Sequence, residues 1–238
     1  MIGKLTAELT AAHALSLDLT AQNRLDAYFD KLERANAQFN LTRIQGAQDT
    51  AHKHFYDSLA LLWLADVPDG ASVIDIGAGA GFPSIPLAIA RPDLKITAVD
   101  SVGKKVRFLN QCAQELALDG FCALHQRCED LGKMPEYREK FDLCVARAVA
   151  ALPTLLELAL PFVKTGGLFA AYKGPAAAQE VDDARKALDA LGGQARLETY
   201  AIQDGQAQRT MVFVRKIRPC PAHFPRKAPL PAQKPIGC

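Results

Sequence analysis

The sequence lacks a long apolar run, and this absence excludes a class of protein. No stretch of the 238 residues has the uninterrupted apolar length that a membrane span needs. Acidic and polar residues interrupt the first segment, MIGKLTAELTAAHALSLDLT, where a signal peptide requires an apolar core. With 49% hydrophobic and 23% charged residues, the composition predicts a globular protein that stays in the cytoplasm and does not enter a membrane.

The cysteines also lack the spacing of a metal site or of a disulfide framework. None belongs to a C-x-x-C pair, and no histidine lies where it would complete a zinc-binding pattern. We expect no bound metal, and we expect most of the thiols to be small buried side chains in a reducing compartment. The cysteines are Cys112, Cys122, Cys128, Cys144, Cys220 and Cys238.

The net charge is only +2, but the basic residues are concentrated at the end of the chain. From Arg215 onward there are six basic residues and no acid, together with six of the 14 prolines. Proline on this scale argues against a packed helix or a central strand. We therefore divide the chain into an N-terminal helical region (1–66), a central domain (67–215) and a basic, proline-rich tail (216–238).

Hydrophobic periodicity predicts helices first and then an alternation of strands and helices. Leu25, Phe29 and Leu32 recur at helical spacing after a predicted cap at Thr20. From Ala71 onward, short apolar strands such as SVIDI, KITAVD and FDLCVA are separated by helical segments. This order predicts an α/β fold with a doubly wound, mostly parallel sheet.

The strand SVIDI is followed by a glycine-rich loop whose spacing excludes two familiar ligands. The glycines are Gly77, Gly79 and Gly81, and Phe82 occupies the place of the third glycine of the dinucleotide pattern G-x-G-x-x-G. A bulky ring there argues against NAD. The Lys-Ser/Thr pair of a triphosphate-binding loop is missing as well. Alternate glycines still predict a close approach between the backbone and a ligand.

Charged residues at the ends of the next strands indicate what this ligand is. Asp100 ends the strand KITAVD, where a carboxylate can accept hydrogen bonds from both ribose hydroxyls. A ribose-binding acid beside a glycine loop without a phosphate-binding device suits S-adenosylmethionine. Glu129 follows the third strand on the same rim. Arg147 ends the fourth strand, where a cation meets a phosphate or the cofactor's carboxylate.

The segment VIDIGAGAGFPSIPLAIARPDLKITAVDSVGKKVRFLNQ resembles the central part of a known enzyme family. It is similar to the bacterial guanine-N7 methyltransferases of small-subunit ribosomal RNA, the glucose-inhibited division protein B family. Further agreement extends over most of the chain, in HFYDSL, RCED, ARAVAAL, YKG and FPRKAP. The resemblance implies a class I S-adenosylmethionine-dependent methyltransferase fold with an N-terminal helical extension.

The resemblance also implies roles for individual residues. Gly77 and Phe82 would contact the cofactor, Asp100 would bind its ribose, and Cys128 and Glu129 would lie beside the adenine. Arg147 would stand at the mouth shared by cofactor and substrate. Two positions depart from the family pattern, namely Ser84 in place of a usual glycine and Cys128 in place of a small or branched apolar residue.

The expected partner is 16S ribosomal RNA, contacted through basic side chains that bind phosphates. We expect the enzyme to be a monomer. The candidate RNA-binding residues are Lys104, Lys105, Arg107, Arg127, Arg147, Lys173, Arg226 and Lys227.

The sequence after the fourth strand restricts which atom is methylated. Amine methyltransferases usually carry an acid or amide, two prolines and an aromatic residue there, whereas this chain has ARAVAALP. Cys144 lies inside an apolar strand and is therefore a poor nucleophile for carbon-5 methylation. A guanine N7 has a free lone pair and no proton to lose, so positioning alone suffices. The alternative is a noncatalytic RNA-binding or assembly factor on the same fold; an NAD oxidoreductase is disfavoured by Phe82.

Overall fold

The computed structural model describes residues 1–44, 46–202 and 207–237, and its centre is a seven-stranded sheet. The strand order is β3-β2-β1-β4-β5-β7-β6; β1 to β5 are parallel, while β7 runs antiparallel to both β5 and β6. The strands are β1 Ser72–Ile76, β2 Lys95–Asp100, β3 Phe121–His125, β4 Phe141–Arg147, β5 Val163–Lys173, β6 Gly193–Ile202 and β7 Ala207–Lys216.

Helices cover both faces of the sheet. The central strands are almost entirely buried, as expected for parallel strands covered on both sides. A π-helical turn at Ala51–Tyr56 separates α3 from α4. The helices are α1 Ile2–Ala11, α2 Leu19–Phe39, α3 Ala47–Thr50, α4 Asp57–Leu59, α5 Leu61–Leu64, α6 Ser84–Ala90, α7 Gly103–Glu115, α8 Cys128–Leu131, α9 Leu152–Ala159, α10 Ala177–Asp183, α11 Arg185–Leu191 and α12 Leu230–Gln233.

The N-terminal helices belong to the core on one face of the sheet. Leu25, Tyr28 and Leu32 repeat along α2, are fully buried, and join a cluster that includes residues of α6 and α7. The predicted cap at Thr20 is wrong, because the carboxylate of Asp18 accepts the N–H of Ala21 at 2.7 Å and the helix begins at Leu19. Ala184 separates the two consecutive helices α10 and α11.

The tail packs against the other face of the sheet. The expectation that its prolines preclude a packed helix is wrong, since α12 lies in the tail and Pro231 is buried. Side chains of the main body hold the tail by donating to its backbone carbonyls; the carbonyl of Pro231, for example, accepts the Thr154 hydroxyl at 3.0 Å. Because these bonds use carbonyl groups, the N–H groups that proline lacks are not needed. Cys238 lies outside the described residues.

Candidate active site

The loops after β1, β2, β3 and β4 meet at the carboxyl edge of the parallel strands. The strand order reverses beside β1, and ligands of open α/β sheets bind at such a switch point. A cleft of about 360 Å³ opens there. Its lining residues are Gly77, Val99, Asp100, Ser101, Val102, Lys105, Gln126, Arg127, Cys128, Glu129, Ala148, Val149 and Leu158.

Two glycines shape the ligand side of the glycine loop. Gly77 and Gly79 have φ angles of +70° and +62°, a backbone conformation that side chains rarely adopt. A Cβ at Gly77 would lie 2.7 Å from Cγ2 of Val149, whereas a Cβ at Gly79 would meet only the carbonyl of Gly77 at 3.8 Å. The space beside Gly79 is therefore open, as the predicted close approach of a ligand requires.

Gly81 has a different task, which the sequence pattern does not distinguish. A Cβ there would lie 2.7 Å from Ile85 and 2.8 Å from both Leu109 and the hydroxyl of Tyr28. The Tyr28 hydroxyl also donates to the carbonyl of Ala80. Gly81 therefore lets the glycine loop pack against α2, α6 and α7, and the N-terminal region supports the loop from behind.

Asp100 connects the glycine loop with the start of α7. One carboxylate oxygen accepts the N–H of Gly79 at 2.9 Å, and the other accepts the N–H of Val102 at 2.8 Å. Lys105 places its ammonium 3.6 Å from the first oxygen. Each carboxylate oxygen has two lone pairs, so both retain the capacity to accept a hydroxyl from a ligand in the cleft.

Asp75 is a buried acid that the sequence analysis missed. It lies in β1 two residues before Gly77 and is fully buried. Among the described residues, neither carboxylate oxygen has a partner at strict hydrogen-bond geometry, and the side chain and backbone of Ser84 are the nearby donors. Burial raises the pKa of Asp75 to about 7, although the nearby Ser84 acts in the opposite direction. The signal in the sequence was a carboxylate inside the apolar strand SVIDI. An orphaned acid behind a glycine loop fits a ligand that carries an ammonium group.

Cys128 and Glu129 form the wall of the cleft opposite the glycine loop. Both lie in the first turn of the short helix α8 and are partly exposed. Burial raises the pKa of the Cys128 thiol to about 12, so the thiol is neutral and acts as a small apolar surface. The structure thus brings Gly77, Asp100, Cys128 and Glu129 together in one cleft, as the resemblance implied.

Arg147 is directed into a buried network with the N-terminal region. Its guanidinium donates to the carboxylate of Asp57 at 3.0 Å and to Nδ1 of His54 at 2.7 Å. The other oxygen of Asp57 accepts the hydroxyl of Tyr200 at 2.7 Å. Arg147 thus joins His54 to Asp57, and its side chain is only 14% exposed.

Phe82 lies beneath this network. Its ring stacks on His54 with 4.1 Å between centroids, and the Arg147 guanidinium lies 4.9 Å from the ring centroid. Because arginine can only donate, Nδ1 of His54 accepts and Nε2 carries the proton toward the Thr42 hydroxyl, 2.9 Å away. Burial and the charge of Arg147 lower the pKa of His54 to about 3. His54 is therefore neutral, and both of its ring nitrogens are engaged.

The candidate RNA-binding cations are in three different environments. Lys105 and Arg127 line the cleft, and Lys104 and Arg107 are exposed on the first turns of α7 beside it. Lys173, by contrast, is 10% exposed and pairs with Glu180 at 2.7 Å. Arg147 and Arg226 likewise form ion pairs within the fold, whereas Lys227 is exposed. The cations that lie at the mouth of the cleft are therefore those of the first environment, namely Lys104, Lys105, Arg107 and Arg127.

A larger cleft of about 570 Å³ lies at the opposite edge of the sheet. Three of its charged side chains are engaged within the protein: Lys164 pairs with Asp142 at 2.8 Å, and Arg215 donates to the carbonyl of Gly166 at 2.8 Å. This cleft lies at the amino ends of the parallel strands, away from the glycine loop. Size alone therefore does not identify the ligand site.

Within residues 1–44, 46–202 and 207–237, no group of three or more His, Cys, Asp or Glu side chains has the arrangement of a metal site. In the same ranges, no helix has both the length and the apolar character needed to cross a membrane.

Solved structures share this fold. An S-adenosylmethionine-dependent O-methyltransferase from Thermotoga maritima matches with a TM-score of 0.56 at 17% identity, over 80% of this chain and 71% of that chain. The YcgJ protein from Bacillus subtilis matches with a TM-score of 0.54 at 13% identity, over 69% of this chain and all of that chain. The fold is that of the class I S-adenosylmethionine-dependent methyltransferases, which confirms the predicted fold class.

The sequence comparisons are more specific. The family model GidB, rRNA small subunit methyltransferase G, matches residues 21–210. A ribosomal RNA small subunit methyltransferase G from Lactobacillus delbrueckii is 44% identical over 98% of this chain and 99% of its own length. One from Desulforamulus reducens is 43% identical over 95% of this chain and 96% of its own length. The chain belongs to the GidB family, and the resemblance stated from the sequence is confirmed.

Proposed function

We propose that this protein transfers a methyl group from S-adenosylmethionine to N7 of a guanine in the 16S RNA of the small ribosomal subunit. Family membership supports the reaction class and the RNA substrate. The observation that carries the proposal is the cleft between the glycine loop and α8, with Asp100 at its centre. We also propose that the enzyme works in the cytoplasm and acts as a monomer.

The residues around the cleft suit the three parts of the cofactor. Asp100 accepts the ribose hydroxyls, and Cys128 and Glu129 flank the adenine. The orphaned carboxyl of Asp75 and the open backbone at Gly79 suit the amino-acid arm, whose ammonium group is a natural partner for a buried acid. Phe82, Gly81 and Arg147 do not line the cleft; in this proposal they act indirectly, by fixing the glycine loop and the end of β4 in place.

RNA approaches at the mouth of the cleft. Lys104, Lys105, Arg107 and Arg127 surround this mouth, and a cluster of cations there neutralises RNA phosphates. Lys227 on the tail is a further phosphate ligand in this proposal. Lys173 and Arg226 are not part of this RNA-binding surface in the proposal, because Glu180 and Glu157 engage their charges.

The chemistry requires positioning and no base. S-adenosylmethionine supplies an electrophilic methyl group; its bond to sulfur breaks as the N7 lone pair forms the new N–C bond, which leaves S-adenosylhomocysteine and a cationic N7-methylguanine. No proton leaves the guanine in this step, so the protein's part is to align N7 with the methyl group and to exclude water. The neutral, fully hydrogen-bonded His54 and the buried Cys144 agree with this chemistry; burial raises the pKa of the Cys144 thiol well above its usual value.

The rate of methyl transfer in a single turnover should be nearly independent of pH between about pH 6 and 9. The substrate is small-subunit RNA already bound to excess enzyme, and the product is identified as N7-methylguanosine by mass spectrometry. As a control, Cys144→Ser should transfer methyl at the wild-type rate, because a buried thiol takes no part. A rate that rises tenfold per pH unit, or N6-methyladenosine or 5-methylcytosine as product, contradicts the assignment.

A further inference from the structure

The tail crosses the back of the wall that closes the cofactor cleft. Residues 220–231 pass over α8 and α9, and Cys220 and Phe224 are buried with Leu131 and Leu155 of these helices. The sequence predicted a basic tail whose cations contact RNA. The structure shows many polar contacts that hold the tail to the body, and three of these anchors act on α8 and α9.

The first of these three anchors is the ion pair between Arg226 and Glu157. The Glu157 carboxylate is fully buried and receives the Arg226 backbone N–H at 2.7 Å, Nε at 2.9 Å and Nη2 at 2.6 Å. The same guanidinium donates to the carbonyl of Lys234 at 2.7 Å. A buried carboxylate destabilises the fold when its counter-charge is removed. The pair with Arg226 therefore holds Glu157, and with it α9, against the docked tail.

Arg138 forms a second anchor from the body to the tail. Its guanidinium donates to the carbonyl of Phe224 at 2.7 Å, to that of Cys220 at 2.8 Å and to that of Gly132 at 3.1 Å. Gly132 is the C-cap residue that directly follows α8, and Pro225 packs against it. One guanidinium thus joins the tail to the end of α8. The third anchor is the bond from Thr154 of α9 to Pro231.

Residues of α8 and α9 also line the cleft. Cys128 and Glu129 belong to the four-residue helix α8, and Leu158 follows Glu157 directly in α9. A helix of one turn has little stability of its own and keeps its position through packing. The tail supplies that packing to α8 on the side away from the ligand.

We propose that the docked tail fixes the adenine wall of the cofactor cleft and that Arg226 is a positioning residue for cofactor binding. The inference rests on the proposed function, because it assumes that the cleft binds S-adenosylmethionine. Arg226 does not touch the ligand. It holds Glu157, and through α9 and Pro225 it keeps Leu158, Cys128 and Glu129 where the adenine binds.

Replacing Arg226 by alanine should weaken binding of S-adenosylhomocysteine, measured by calorimetry at 20 °C, by about five- to tenfold. Arg226→Lys restores the charge beside Glu157 and should recover part of the affinity. Leu61→Ala is the matched control: it removes a fully buried side chain from α5, in the core cluster on the other face of the sheet from α8, α9 and the tail, and lowers stability there. Its affinity should remain at the wild-type value.

Hydrogen exchange gives a readout that does not depend on activity. Because coupling between two sites is reciprocal, saturating S-adenosylhomocysteine should slow amide exchange at Phe224 and Arg226, and this protection should vanish in Arg226→Ala. Wild-type affinity in a folded Arg226→Ala, or tail exchange that ignores the ligand, overturns the inference and leaves the proposed function standing. Absence of binding by the wild-type protein overturns the proposed function and the inference together.

Discussion

Replacing Arg147 by methionine should lower the free energy of unfolding by about 3–5 kcal/mol. The change leaves the Asp57 carboxylate, whose side chain is 4% exposed, without the guanidinium 3.0 Å away. Arg209, at 3.9 Å from the other oxygen, compensates only in part. The ring of His54 also loses its donor. Urea denaturation followed by circular dichroism measures the loss.

Two further variants distinguish the stability lost by breaking the buried ion pair from the stability lost by removing any arginine charge. Arg185→Met removes an arginine whose side chain is 77% exposed, and it should change stability by less than about 1 kcal/mol. Adding Asp57→Asn to Arg147→Met should recover part of the lost stability, because the uncompensated charge is then gone. Asp57→Asn is also measured alone. If the stability lost by the double variant equals the sum of the losses in Arg147→Met and Asp57→Asn, the two residues do not act as a pair.

Replacing Asp100 by alanine should weaken binding of S-adenosylmethionine by on the order of 1–3 kcal/mol, which is about fivefold to 150-fold. The change removes both the ribose acceptor and the two backbone hydrogen bonds that hold Gly79 and Val102. Asp100→Asn, which keeps one acceptor oxygen, should lie between alanine and the wild type. Calorimetric titration at constant pH measures all three proteins.

Asp142 provides the matched control for this experiment. Its carboxylate also accepts a backbone N–H, that of Ser72 at 2.9 Å, but it lies at the opposite edge of the sheet. Asp142→Ala should therefore leave cofactor affinity unchanged. Equal affinity for wild type and Asp100→Ala would remove Asp100 from the cofactor site.

The sequence predicted the parts of this protein that depend on neighbouring residues in the chain. The apolar period of β1, the glycine loop after it and Asp100 at the end of β2 all follow from local pattern, and the fold class follows from the alternation of strands and helices. Glu129 and Cys128 were located in the same way, although their roles came from the family resemblance.

The contacts that the sequence missed join segments far apart in the chain. Arg147 reaches Asp57 across 90 positions, and Arg226 reaches Glu157 across 69. Nothing in the sequence distinguishes these four residues from ordinary charged residues on the protein surface. Only the packed fold shows that Arg147 and Arg226 neutralise buried carboxylates, while Lys105 and Arg127 remain at the mouth of the cleft. Charge in the sequence therefore indicated more RNA-binding residues than the geometry supports.

The central claim is tested most directly by nucleoside mass spectrometry of small-subunit RNA from cells that lack the gene. Returning the wild-type gene should restore N7-methylguanosine at a single position of 16S RNA. A gene with Asp100→Ala, expressed at the same level, should restore much less. If the N7-methylguanosine content of 16S RNA is the same with and without the wild-type gene, the protein is not the methyltransferase proposed here.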